Sequence, residues 1–113
     1  MTVVSKTLVE GVQAAAVNTT QYTTPLLTRT SIDKMTATNT TGAAVTLTVN
    51  LIPSGGAASA ANTVMSAQSI AAGTTYLCPE VGGGHVLNPG GFLSTNASVA
   101  ASISIRVSGR ETS

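Results

Sequence analysis

Two stretches of this chain alternate with a period of two. In Val45-Thr46-Leu47-Thr48-Val49-Asn50-Leu51 apolar and polar residues take turns without exception. From Val99 to Val107 the odd positions are apolar and the even ones small or polar, ending in Ile103-Ser104-Ile105-Arg106-Val107. Successive side chains of a β-strand point to opposite faces. Each stretch therefore has one face for a core and one Thr, Ser, Asn or Arg face for water or a partner. No stretch carries a comparably long helical period, so the expected class is all-β.

Turn signals divide the rest into short strands. Ile32 to Asn39 reads as a strand, and Asn39-Thr40-Thr41-Gly42 reads as the turn of a β-hairpin joining it to the Val45 strand. Pro53-Ser54-Gly55-Gly56 ends that strand. Ala57 to Gln68 mixes helix formers with Ser, Asn, Thr and Val, and reads as a loop with at most one helical turn. Ser69-Ile70 and Thr74 to Leu77 are short strands around Ala71-Ala72-Gly73. Gly82-Gly83-Gly84 is a flexible loop, His85 to Leu87 a strand, Asn88-Pro89-Gly90-Gly91 a turn with Pro and Gly in type II positions, and Phe92 to Thr95 another strand. Seven or eight strands at this spacing indicate a two-sheet antiparallel β-sandwich or jelly roll with little or no helix. The weakly patterned residues 1–25 read as an extension or arm, and residues 26–113 as the sandwich domain.

Only 8% of the residues are charged, and the net charge is +1, against a typical ~25% charged. From Met35 to Pro79 there is no charged residue at all. Thr, Ser, Asn and Gly interrupt every apolar run, so no window resembles the ~20 apolar residues of a spanning helix. The first residues lack the apolar core of a signal peptide. These features predict a water-soluble chain made without export. Abundant Thr and Val argue against disorder, and neutrality removes the electrostatic case for a nucleic-acid or membrane-surface partner.

Candidate chemistry is sparse. His85 is the only histidine and Cys78 the only cysteine, so no intrachain disulfide can form. Gly84-His85-Val86-Leu87-Asn88-Pro89-Gly90 has a cupin-like strand and turn without the further imidazoles a metal would need. A Ser-His-Asp arrangement has Asp33 and His85 available but no nucleophile elbow. The acids Glu10, Asp33, Glu80 and Glu111 are scattered, and Gly82-Gly83-Gly84 lacks the Lys and Ser/Thr of a phosphate loop. Cys78 reads as a small buried apolar residue. Of the three aromatics, Phe92 reads as core and Tyr22 and Tyr76 as packing or rim residues, too few for a sugar or single-strand platform. The chain is expected to be non-enzymatic, without cofactor or metal.

An undefended, charge-free sheet is tolerable when other protein covers it. Thr46, Thr48, Asn50 and Arg106 are the candidate interface residues. Arg106 is either a solvated charge protecting a sheet edge or half of an intersubunit ion pair. The order of motifs is informative too: Ile32-Asp33-Lys34-Met35-Thr36-Ala37-Thr38-Asn39, the alternating strand, Pro53-Ser54-Gly55-Gly56, Ile70-Ala71-Ala72-Gly73-Thr74, Val86-Leu87-Asn88-Pro89-Gly90-Gly91 and Val107-Ser108-Gly109-Arg110-Glu111. This succession resembles small β-sandwich virion proteins of tailed bacteriophages. The resemblance implies a structural protein made in the bacterial cytoplasm and carried in the virion. Its partners would be the major capsid protein or another virion protein and, as a dimer or trimer, further copies of itself. A capsid decoration or cement role leads, with a neck or tail component and a carbohydrate-binding module as alternatives.

Overall fold

A computed structural model describes residues 2–113. Nine strands follow one another: β1 (Val3–Gln13), β2 (Thr19–Thr23), β3 (Arg29–Asn39), β4 (Val45–Ile52), β5 (Thr63–Ile70), β6 (Thr75–Tyr76), β7 (His85–Leu87), β8 (Phe92–Ala97) and β9 (Ile103–Thr112). The only helical element among the described residues is a 3₁₀ turn at Ala60–Asn62. Two antiparallel sheets form a sandwich. The first has the order β1-β9-β3-β6, with β7 also paired to β3, and the second the order β2-β8-β4-β5.

The pairings are nested. β1 pairs with β9, β2 with β8, β3 with β6 and β7, and β4 with β5. The chain is thus a long antiparallel ribbon folded back at the β4–β5 connection. The additional pairings β3–β9 and β4–β8 roll that ribbon into two sheets. This is a jelly roll, which selects between the two expected architectures.

The core follows the alternation. On β4, Val45, Leu47 and Val49 are buried; on β9, Ile103, Ile105 and Val107 are fully buried. Ile32, Met35 and Ala37 from β3, with Met65, Ile70, Leu87 and Leu93, complete an aliphatic interior. Each Ile, Leu or Met side chain so buried contributes roughly 1.5–3 kcal/mol. Phe92, expected in the core, is only half-buried. It pairs with Ile52 of β4 on the outer side of the second sheet, while its neighbour Leu93 points inward.

The chain crosses between the sheets where the sequence reading places a hairpin. β3 lies in the first sheet and β4 in the second, so Ile32–Asn39 and Val45–Leu51 are not paired strands. Asn39 makes the crossing. Fully buried, its amide donates to the carbonyls of Ala43 (2.7 Å) and Ile70 (2.9 Å), and its Oδ1 accepts from the Thr41 N–H (2.9 Å) and hydroxyl (2.7 Å). Backbone groups that a hairpin would pair are met by this side chain instead.

Other boundaries shift for similar tertiary reasons. Ala57 to Gln68 holds the expected helical turn, but Thr63 onward is strand because it pairs with β4. The last strand starts at Ile103 rather than Val99 and runs to Thr112, held between β1 and β3. Residues 1–25, read as an extension, contribute β1 to the first sheet and β2 to the second. Gly82-Gly83-Gly84 is tied down: the Gly83 and Gly84 N–H groups donate to the Asp33 and Ile32 carbonyls (3.2 and 2.9 Å). The type II turn stands as expected, with Gly90 at φ +80° and the Gly91 N–H donating to the Asn88 carbonyl at 2.8 Å.

Candidate interaction surfaces

The strands sort the charges. Lys6 and Glu10 lie on β1; Arg29, Asp33 and Lys34 on β3; Arg106, Arg110 and Glu111 on β9. Only Glu80 lies outside a strand. Every strand-borne charge therefore belongs to the first sheet, and β2, β4, β5 and β8 have none.

Thr46 and Thr48 point outward from β4 in the middle of the charge-free sheet, and both are partly exposed. Thr48 sits opposite Asn96 of β8, and its hydroxyl accepts the Ala67 N–H at 3.0 Å. That contact secures a kink in β5, where Ala67 has φ +43°. The Thr46 backbone exchanges bonds with Ser98, N–H to Oγ at 3.0 Å and carbonyl from N–H at 2.9 Å. Asn50 continues the same side but is buried beneath residues 59–63. Its amide donates to the Ser59 carbonyl (3.2 Å), Asn62 Oδ1 (2.8 Å) and the Thr63 hydroxyl (2.9 Å). Asn50 therefore fastens the 3₁₀ turn to the sheet instead of offering its amide to a partner.

Arg106 is on the other sheet, opposite Thr36 of β3. The four candidate residues do not converge. β9 is flanked by β1 and β3, so Arg106 projects from an interior strand rather than guarding an edge. This is a correction: a chain's last strand looks terminal in sequence, but the nested pairing places it inside the sheet.

The sequence reading missed the polar contacts that join distant motifs. Arg110 donates twice to the Asp33 carboxylate, both at 3.1 Å, linking the Ile32-Asp33-Lys34 and Gly109-Arg110-Glu111 motifs across β3 and β9. Tyr22 of β2 reaches between the sheets, donating its hydroxyl to Glu111 and taking a bond from the Thr30 hydroxyl at 2.8 Å. Lys6 stands 3.5 Å from the same carboxylate. Burial first, and then the carboxylate acceptor, push the Tyr22 phenol up to about 12. Tyr76 is likewise raised to about 12, here chiefly by its bonds to Glu80 at 2.7 and 2.8 Å. Tyr22 contacts Thr30 and Tyr76 pairs with Ala37. Seven residues of β3, ~23 Å at strand rise, separate those anchors, so the tyrosines form no shared platform.

A groove of about 620 Å³ opens between β5 and β7, lined by Leu51, Pro53, Ala61, Val64, His85 and Val86 among others. His85 is its one titratable residue, and neither tyrosine lines it. Among the described residues no group of three His, Cys, Asp or Glu side chains is arranged to hold a metal ion, and no helix is long and apolar enough to cross a membrane. Cys78 is fully buried, and burial pushes its thiol up to about 12, as suits a packing residue.

No family model and no curated protein matches the sequence. Among solved structures, the chain is similar to one in the structure of infectious bursal disease virus, Gx strain, with a TM-score of 0.55 and 18% identity. The match covers 97% of this chain and 32% of the viral one, so this chain spans about a third of the length of the protein it resembles. At that identity the likeness is one of fold.

Proposed function

We propose that this chain is a non-enzymatic virion structural protein of a bacteriophage, most specifically a capsid decoration or cement protein that bridges neighbouring major capsid subunits. The observation that carries this reading is the division of charge between the sheets. One face of the jelly roll is strand after strand of uncharged residues, with Thr46 and Thr48 at its centre. Such a surface can be covered by protein without stranding a charge away from water. The fold neighbour from a virus structure and the motif order point the same way. Attachment of this kind needs no cofactor and no nucleic acid. The protein would be made in the host bacterial cytoplasm and taken up by the particle. A neck or tail location would use the same face against a different partner. The carbohydrate-binding alternative loses support from the separated tyrosines.

The test is co-sedimentation with undecorated capsids of the encoding virus. Saturable binding that Thr46→Lys weakens tenfold or more, while Arg106→Ala leaves it unchanged, supports the decoration role. Binding to purified tails but not to capsids moves the protein to the neck or tail. Binding to neither rejects the virion reading.

A further inference from the structure

The outer face of the first sheet holds charges that the fold leaves unused. β9 and β3 are neighbours in the interior of that sheet. Met35 and Val107 are directly opposed there and fully buried, so the residues flanking each of them point outward. Those residues are Lys34 and Thr36 on β3, and Arg106 and Ser108 on β9. Lys34 stands opposite Ser108 and Thr36 opposite Arg106, with no register shift between the two rows. The result is a square, with two cations on one diagonal and two hydroxyls on the other. Lys34, Arg106 and Ser108 are exposed, and Thr36 is partly so.

Neither cation has an ion-pair partner among the described residues. Thr38, the next outward residue of β3, shares a hydrogen bond with the Thr75 hydroxyl at 2.9 Å; Thr36 and Ser108 have no such bond among the described residues. The acids of this face are placed elsewhere. Asp33 takes two bonds from Arg110. Glu10 lies in the β1 bulge across from Arg106, between the pairs Val9–Val107 and Val12–Ile105, and stays outside ion-pair distance. Arg29, beside the buried Thr30, is a further outward cation. The face thus sets Arg29, Lys34, Arg106 and Arg110 against Asp33 and Glu10.

We infer that this square receives carboxylate side chains of a partner protein, making the first sheet a docking face for an acidic segment. Diagonal Cβ atoms stand about 7 Å apart, so one carboxylate lying between them meets both long cationic side chains. The Arg106 fork can hold it in two bonds, and the hydroxyls can donate to its remaining lone pairs. On an open sheet a free anion stays hydrated and is held weakly; a partner surface brings the carboxylate and its cover together. Charge matching of this kind selects partner and register. A nucleic-acid strand fits less well. Asp33 and Glu10 would repel a continuous run of phosphates, and β1, β3 and β9 carry no aromatic residue on which a base could stack. The square lies on the opposite sheet from Thr46 and Thr48, so both faces can be occupied together. The inference does not need the virion reading, because it is tested on the protein alone.

The probe is a peptide of alternating glutamate and serine, titrated at low salt into isotope-labelled protein and followed by NMR. A peptide with glutamine in place of glutamate is its control. Shifts should centre on the amides of Lys34, Thr36, Arg106 and Ser108, fade with added salt and be absent with the control. Lys34→Gln and Arg106→Gln should each weaken binding about fivefold. Glu10→Gln removes the acid nearest Arg106 and should strengthen it. Lys6→Gln removes an equal charge that is paired with Glu111, and should leave affinity within about twofold. Circular dichroism checks that each variant folds. Equal losses from Lys6→Gln and Arg106→Gln would show a response to net charge alone and overturn the inference. Tighter binding of a single-stranded oligonucleotide carrying as many charges would overturn it in favour of nucleic acid. If a variant does not fold, the shift map of the unaltered protein decides: no saturable shifts, or shifts centred on Thr46 and Thr48, overturn it.

Discussion

The first sheet carries eight of the nine charged residues and the second carries none, yet both supply the same kind of inward face. Their inner residues are mostly aliphatic in both; the charge differs between their outer faces. In the first sheet the strands are tied from outside by Arg110 to Asp33. In the second the outer face is organised by uncharged groups: Thr48 holds the β5 kink and Asn50 holds the 3₁₀ turn. One sheet meets water with charge and can match a partner by sign. The other, with threonines and an irregular edge strand, is suited to being covered. A single core can thus carry two outer surfaces for two different partners.

The largest test of this division breaks the charged sheet from within. Gly109 of β9 pairs with Ile32 of β3, and a Cβ there would collide with the Ser31 carbonyl oxygen. Backbone must move to admit it. Gly109→Ala should cost about 3 kcal/mol and lower the melting temperature by ~10 °C, measured by differential scanning calorimetry. An unchanged melting temperature would mean that β3 and β9 are not packed this closely.

A smaller effect is expected where the chain passes from one sheet to the other. Asn39→Ala leaves the Ala43 and Ile70 carbonyls and the Thr41 N–H without their partner. The loss should be about 2 kcal/mol, read from urea unfolding. Hydrogen exchange should speed first near residues 39–43 and the end of β5, and not at the β1–β9 ladder. Uniform exchange across both sheets would show that Asn39 does not act as a local joint.

The smallest effect appears only in alkali. Tyr22 bridges the sheets as a neutral phenol, its pKa raised from 10.0 to about 12. A raised acid favours the folded state in its protonated form. That contribution is complete below pH 10 and is lost as pH rises toward 12. Tyr22→Phe should flatten this part of the stability profile, whereas Tyr76→Phe, which removes a phenol bonded to Glu80 within the first sheet's own loop, should leave inter-sheet stability less affected. Ultraviolet titration of the two phenols together with thermal melts separates them. Equal effects of both substitutions would remove the special place given to Tyr22.

Much of this architecture is legible in the chain itself. The alternation of Val45–Leu51 and Ile103–Val107 assigns inward and outward residues correctly because the strand period is a local property of the backbone. The Asn88–Gly91 turn is legible for the same reason, since Pro and Gly restrict φ wherever they stand. The segregation of charge was visible as a gap from Met35 to Pro79, without showing that the gap and the second sheet overlap only through β4 and β5. Partners were not legible. Alternation shows which face a residue takes but not which strand lies beside it, so Ile32–Asn39 and Val45–Leu51 read as a hairpin. The choice between hairpin and crossing rests on a buried Asn39 and on carbonyls 4 and 31 residues away in sequence. Likewise, Asn50 was chosen for the outward side of its strand, which the period determines, but only the loop folded over it decided that its amide is spent internally. Local covalent geometry and side-chain chemistry fixed the strands and their faces; the nesting of non-local pairs, which no short window contains, decided that the last strand lies inside a sheet and the first lies at its open edge.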